Sequence, residues 1–146
     1  MGKSNTFSQN VLDLIFLNAD ITLVGDAAGI QASATEGNLY AALHTGDPGA
    51  AGDQTTNEAA YTSYARVAIP RNSSYWSRTA QTMSNLQAVT FPQATGGSET
   101  ETYASVGTSI SGTGKILWSG ALSPTIAVST GITPEIPIGD IDVTES

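Results

Sequence analysis

The side chains able to do chemistry are few, and their spacing limits what they can do. His44 is the only histidine, and cysteine is absent. Zinc takes three or four His, Cys or carboxylate ligands, so this inventory cannot supply a usual site. A Ser-His-Asp arrangement needs a nucleophile held against His44 and a carboxylate behind the ring, yet there is no G-x-S-x-G elbow or comparable signature. His44 reads instead as a structural imidazole, hydrogen-bonded at a strand end. Asp47, Asp53, Asn57 and Glu58 fall in one stretch and offer hard oxygen ligands suited to calcium. Their spacing is not that of an EF-hand, and Asp and Asn serve turn geometry in such loops. Glu99 and Glu101 would share one face of a strand, and retaining glycosidases hold two carboxyl groups about 5 Å apart. Nothing else builds a saccharide cleft, so the pair reads as solvated loop carboxylates beside Gly96-Gly97. Gly112-Thr113-Gly114-Lys115 lacks the G-x-x-x-x-G-K-[ST] spacing and precedes a strand, so it is not read as a phosphate loop. The expectation is a chain with no catalytic residue, no cofactor and no metal.

Composition points the same way. The 146 residues suit one domain with a real core, and charged residues make up only 12% where about 25% is typical. Polarity comes from Ser, Thr, Asn and Gln, with 15 glycines, a mix that suits β-sheet with many turns and a surface that meets other protein. Five basic residues against 13 acidic give a formal charge of −8. Phosphate-backbone binding depends on clustered Lys and Arg, so no nucleic-acid partner is expected. The apolar run Val11–Leu17 is interrupted by Asp13 and is too short to span a bilayer. It does not make a signal peptide either, so no membrane partner is expected and synthesis is expected in the cytosol.

The elements that must position these residues begin with a helix. Thr6 and Gln9 match a capping box, and Phe7, Val11 and Leu14 fall at helical spacing, with further apolar residues widening the stripe. Such a helix either lies on its own sheet or docks as an arm on a neighbouring subunit. A short strand is expected over Ile21–Val24 and a loop of small residues over Ala27–Gly37. The organising stretch is Asn38–Pro70, in which Leu39, Ala41 and Leu43 alternate in one strand and Ala65, Val67 and Ile69 in another. Turns are expected at Gly46-Asp47-Pro48-Gly49 and Gly52-Asp53.

Further strands are read at Thr82–Asn85, Ala88–Phe91, Thr102–Ser109, Lys115–Trp118, Thr125–Val128 and in the C-terminal Ile138–Val143 alternation, with a turn at Ser119–Pro124. Prolines 134 and 137 fit an edge. Short strands at this spacing, punctuated by Gly and Pro, signify an all-β fold: an antiparallel β-sandwich or jelly-roll-like barrel with an N-terminal helix or arm. The division expected is 1–37 for the helical arm and loop and 38–146 for the β-sandwich. Five large apolar side chains, Phe7, Phe16, Tyr75, Trp76 and Trp118, are the interface candidates.

The run LYAALHTGDPGAAGDQTTNEAAYTSYARVAI, followed by Trp76, VTFPQATGG and GKILWSGAL, resembles a family of small tailed-bacteriophage virion proteins described as tail-fibre or structural proteins. The similarity covers Asn38 to Thr144. It implies a non-enzymatic virion component, made in the host cytoplasm, and the acidic charge fits a place on the outside of the particle. Three functions follow in order: a capsid decoration or cement protein bound to the major capsid protein, a tail-fibre or tail-associated protein, and a carbohydrate-binding module using Tyr75, Trp76 or Trp118. A homo-oligomer is expected, with a trimer at a threefold junction as the simplest form.

Overall fold

In a computed structural model covering residues 1–146, the chain forms one helix and nine strands. They are α1 (Asn5–Phe16), β1 (Asn38–His44), β2 (Val67–Pro70), β3 (Trp76–Thr79), β4 (Thr82–Asn85), β5 (Val89–Thr90), β6 (Ser98–Gly107), β7 (Ile116–Ser129), β8 (Glu135–Ile136) and β9 (Asp142–Thr144). The strands make a four-stranded sheet in the order β2-β1-β6-β7, a three-stranded sheet β3-β4-β9 and a two-stranded pair β5-β8. The all-β, sandwich-like class is as expected. A closed barrel is not formed, because the four-stranded sheet ends on β2 and β7. No helix is long and apolar enough to cross a membrane.

Two compact units gather these elements. The first takes Met1–Asn38, Pro70–Ala88 and Pro137–Ser146; the second takes Leu39–Ile69 and Val89–Ile136. In the first, α1 lies on the sheet β3-β4-β9. Its N-cap is Ser4 rather than Thr6: Ser4 Oγ accepts from the Phe7 N–H, so the helix begins earlier than the capping-box pattern predicts. Leu12 and Phe16 are fully buried, and Phe16 meets Trp76 edge to face at a centroid distance of 4.6 Å. The helix ends against Arg71, whose guanidinium donates to the Leu14 and Ile15 carbonyls at 2.5 and 2.6 Å. These carbonyls have no partner within the helix, and a cation there also suits its dipole. Arg78 grips Asp13 with two hydrogen bonds of 2.6 and 3.0 Å, fixing β3 to the helix. Asn85, 1% exposed, donates to the Gln87 and Pro137 carbonyls and accepts from Gly139 and Ile141, which ties β4 to the turn before β9.

Ile21–Val24 is not a strand. A single bridge, Ile21 to Ile30, closes a small loop instead, with Leu23 at φ 66°. Three successive glycine or alanine positions follow Asp26, and its carboxylate takes the Ala28 and Gly29 N–H groups, so turn chemistry prevails over strand propensity.

In the second unit, β1 pairs with β6 in antiparallel register from Tyr40↔Gly107 to His44↔Tyr103. β6 pairs in turn with β7. Ser119–Pro124, expected as a turn, lies inside the 14-residue strand β7. The pairings Glu101↔Ile126 and Tyr103↔Ala121 leave Leu122, Ser123, Pro124 and Thr125 opposite Thr102 alone. The irregularity that Pro124 announces is thus a large bulge, tolerated because β7 is an edge strand.

Candidate interaction surface

The residues with chemical potential are mostly consumed inside the second unit. His44 is 0% exposed; its Nδ1 lies 2.9 Å from the Thr56 carbonyl and its Nε2 2.8 Å from Ser105 Oγ. A carbonyl can only accept, so Nδ1 carries the proton and Nε2 accepts from the hydroxyl. Burial holds the His44 pKa below its ordinary value, against the raising effects of the Thr56 carbonyl and Glu58. The sequence offers no local sign of this Ser-His contact, because Ser105 is 61 residues away. A backbone carbonyl, not a carboxylate, stands behind the ring, and Ser105 is itself only 3% exposed.

The segment Asp47–Glu58 runs from exposed turns into this interior. Asp53 accepts from the Thr55 N–H and hydroxyl, Asp47 from the Gly49 N–H, and Asn57 donates to the Asp47 carbonyl. Glu58 forms a fork with Arg66 at 2.6 and 2.8 Å, and Arg66 also donates to the Ser109 and Gly112 carbonyls. The four oxygen-bearing side chains considered for calcium are therefore distributed among turn and ion-pair partners, and no group of three His, Cys, Asp or Glu gathers. Gln54 is 0% exposed and accepts from the Ser109 N–H at 2.9 Å. A Cβ on Gly114 would stand 2.0 Å from Gln54 Oε1, which explains a glycine in Gly112-Thr113-Gly114 by close packing.

Glu101 corrects the sequence reading. It is 0% exposed, not a solvated loop carboxylate, because β6 extends back to Ser98 and turns Glu101 inward on the Ser105 side. Neither carboxyl oxygen meets a hydrogen-bond donor. Burial first, and then the neighbouring Glu99, push its pKa up to about 8, so it keeps its proton at neutral pH. Glu99 accepts instead from the Ala60 and Tyr61 N–H groups at 2.8 and 2.7 Å.

Of the five aromatic interface candidates, Phe7, Phe16, Tyr75 and Trp76 lie in the first unit and Trp118 in the second. Phe16 and Trp76 are 0% and 1% exposed and face each other in the first unit. Phe7 on α1 is 39% exposed, and Tyr75 before β3 is half-buried. Trp118 lies half-buried on β7. Sequence reasoning missed a second apolar surface, the loop tip with Leu23 at 79% and Val24 at 43% exposure. Of the five basic side chains, Lys3 pairs with Glu145, Arg66 with Glu58 and Arg78 with Asp13, while Arg71 caps α1. Lys115 remains.

A family model described as "Podophage GP4 fiber I protein gp80" matches residues 2–144. The chain belongs to this podophage fibre protein family. No curated protein matches the sequence. Membership in the fibre family supports a structural role in the phage particle and association with other virion proteins. It agrees with the resemblance to phage virion proteins, and it suits the tail-fibre reading as well as any other structural role in the particle.

Proposed function

We propose that the chain is a non-enzymatic structural subunit on the exterior of a phage particle, a component of a fibre or of its attachment, that works through buried protein contact. The observation that carries this reading is the fate of the reactive side chains: His44, Ser105, Glu58 and Glu101 are spent on the interior of a β-unit, while Phe7, Leu23 and Val24 stand exposed. Four of the five cations are held in internal contacts, which favours protein partners over phosphate-bearing ones. The contact residues are Phe7, Leu23, Val24, Tyr75 and Trp118.

A second reading, decoration of the assembled capsid, is favoured by the net charge of −8 and by apolar contacts dispersed over separate elements, which suits a protein sealing a seam. A ligand of the assembled shell that does not bind dispersed coat protein stabilises the shell by mass action. Copy number separates the two. Quantitative gel staining of purified particles is expected to give few copies for a fibre-associated subunit and a number comparable to the coat protein for decoration. Complete absence from purified particles would overturn both.

A further inference from the structure

β1 ends at His44, opposite Tyr103, so the N-terminal half of β6 has a different neighbour. Residues 59–62 run beside it as a strap. Backbone pairing fixes each end: the Ala59 N–H donates to the Leu43 carbonyl at 2.9 Å, and the Thr62 N–H to the Gly96 carbonyl at 2.9 Å. Between those points a carboxylate takes the place of a strand. The Ala60 and Tyr61 N–H groups both donate to Glu99 Oε1, at 2.8 and 2.7 Å.

Glu99 stands two residues from Glu101 on the same face of β6, and the two carboxyl groups meet. Both oxygens of Glu101 are buried, with no donor directed at them. Touching carboxyl groups cannot both carry charge in an interior, so one proton lies between them. The charge belongs on Glu99, whose anion accepts two N–H groups, and the proton on Glu101, which donates it to Glu99.

We propose that this shared proton is the latch of a pH-sensitive strap: when Glu101 loses it, Ala60 and Tyr61 lift from β6 while β1, β6 and β7 stay paired. Two carboxylates beneath Tyr61, 3% exposed, need water, and the strap is the cover held at that point by one of the carboxylates themselves. On its other side Glu101 faces Ile126 of β7, a strand with no charged residue. The titratable groups bearing on Glu101 are Glu99 on its own strand and Tyr61 on the strap. Burial first, then Glu101 and Glu99, push the Tyr61 pKa up to about 12, so its hydroxyl, which donates to the Pro92 carbonyl at 3.0 Å, stays neutral throughout.

Linkage sets the pH window. An open strap leaves Glu101 near its ordinary 4.5, whereas the closed strap holds it at about 8, so the closed form binds the extra proton between these values. Opening becomes about tenfold easier with each pH unit gained in that window and levels off above it.

Amide hydrogen exchange of the full-length chain, resolved by NMR, tests this. Between about pH 5.5 and 7.5, after correction for intrinsic rates, Ala60 and Tyr61 are expected to lose about a hundredfold in protection, while Ala42 and Ser105 in the β1–β6 ladder keep theirs. Glu101→Gln, neutral at every pH, is expected to hold the strap's protection constant over the same range. Compared at one pH the two proteins share intrinsic rates at these amides, so their ratio reads the latch directly. Glu99→Gln keeps an oxygen for the two N–H groups and offers Glu101 an amide donor; its loss of protection is expected to fall below about tenfold. Wild-type protection at Ala60 and Tyr61 that does not change with pH overturns the proposal. An equal loss in Glu101→Gln overturns it too, as does an equal loss at Ala42 and Ser105, which would mean that the whole sheet opens and not the strap. None of these readings depends on where the protein sits in the particle, so a negative result leaves the virion role standing.

Discussion

Glu101 is the residue whose environment most departs from what its position in the sequence implies. In the unfolded chain it ionises near its ordinary value of 4.5, whereas in the fold it holds its proton to about 8. The folded state therefore binds more protons between these values, and its stability is full below the lower one and is lost as pH rises through the upper one. The groups that bear on it are Glu99 and Tyr61. Thermal melts are expected to show a falling melting temperature from about pH 5 to pH 8, and Glu101→Gln, neutral at every pH, is expected to flatten that slope. An identical slope in both proteins would remove Glu101 as its source. Arg66 supplies a second expectation: Arg66→Met leaves Glu58 with only the Tyr64 hydroxyl and no cation, and is expected to cost about 3 kcal/mol in denaturant unfolding. Arg66→Lys restores little of it, because an ammonium cannot span the Glu58 fork and two carbonyls at once. His44 was legible as a structural imidazole from its isolation in the sequence. Its Ser105 partner and the burial of Glu101 were not, because both depend on how far β6 runs.

At the scale of elements, strands with one apolar face were legible: β4 and β9 follow period-two alternation, whereas β1, expected to bury one face, buries both from Ala41 to His44. β3 was not, since WSRT buries only Trp76 and presents no alternating pattern of apolar residues. β7 was divided at Ser119–Pro124, where Gly and Pro mark a bulge on an edge strand as readily as a turn. The helix was legible from its stripe, while its true cap and the Arg71 contact lie outside local pattern. Phe16→Ala is expected to destabilise by about 3–5 kcal/mol, measured by denaturant unfolding, because it empties the space against Trp76. An exposed position on the same helix, Phe7→Ala, is expected to change stability by under about 0.5 kcal/mol. Gly114→Ala is expected to cost about 1–3 kcal/mol through collision with Gln54.

For the whole molecule, the run on which the resemblance to phage virion proteins was read, from Leu39 through Glu58 to Arg66, is also the run that builds the polar interior of the second unit. Its side chains go to folding, whereas the contacts proposed above, at Phe7, the Leu23-Val24 tip, Tyr75 and Trp118, lie outside it and have no signature of their own. That division explains why the structural class was legible in the sequence and the contact surface was not. In the role proposed above, the protein is a fixed part of the particle's outside. Image reconstruction of particles made with and without this gene tests it directly. Discrete external density, present in the first and missing in the second, is the expected result; two identical particle surfaces would rule the role out.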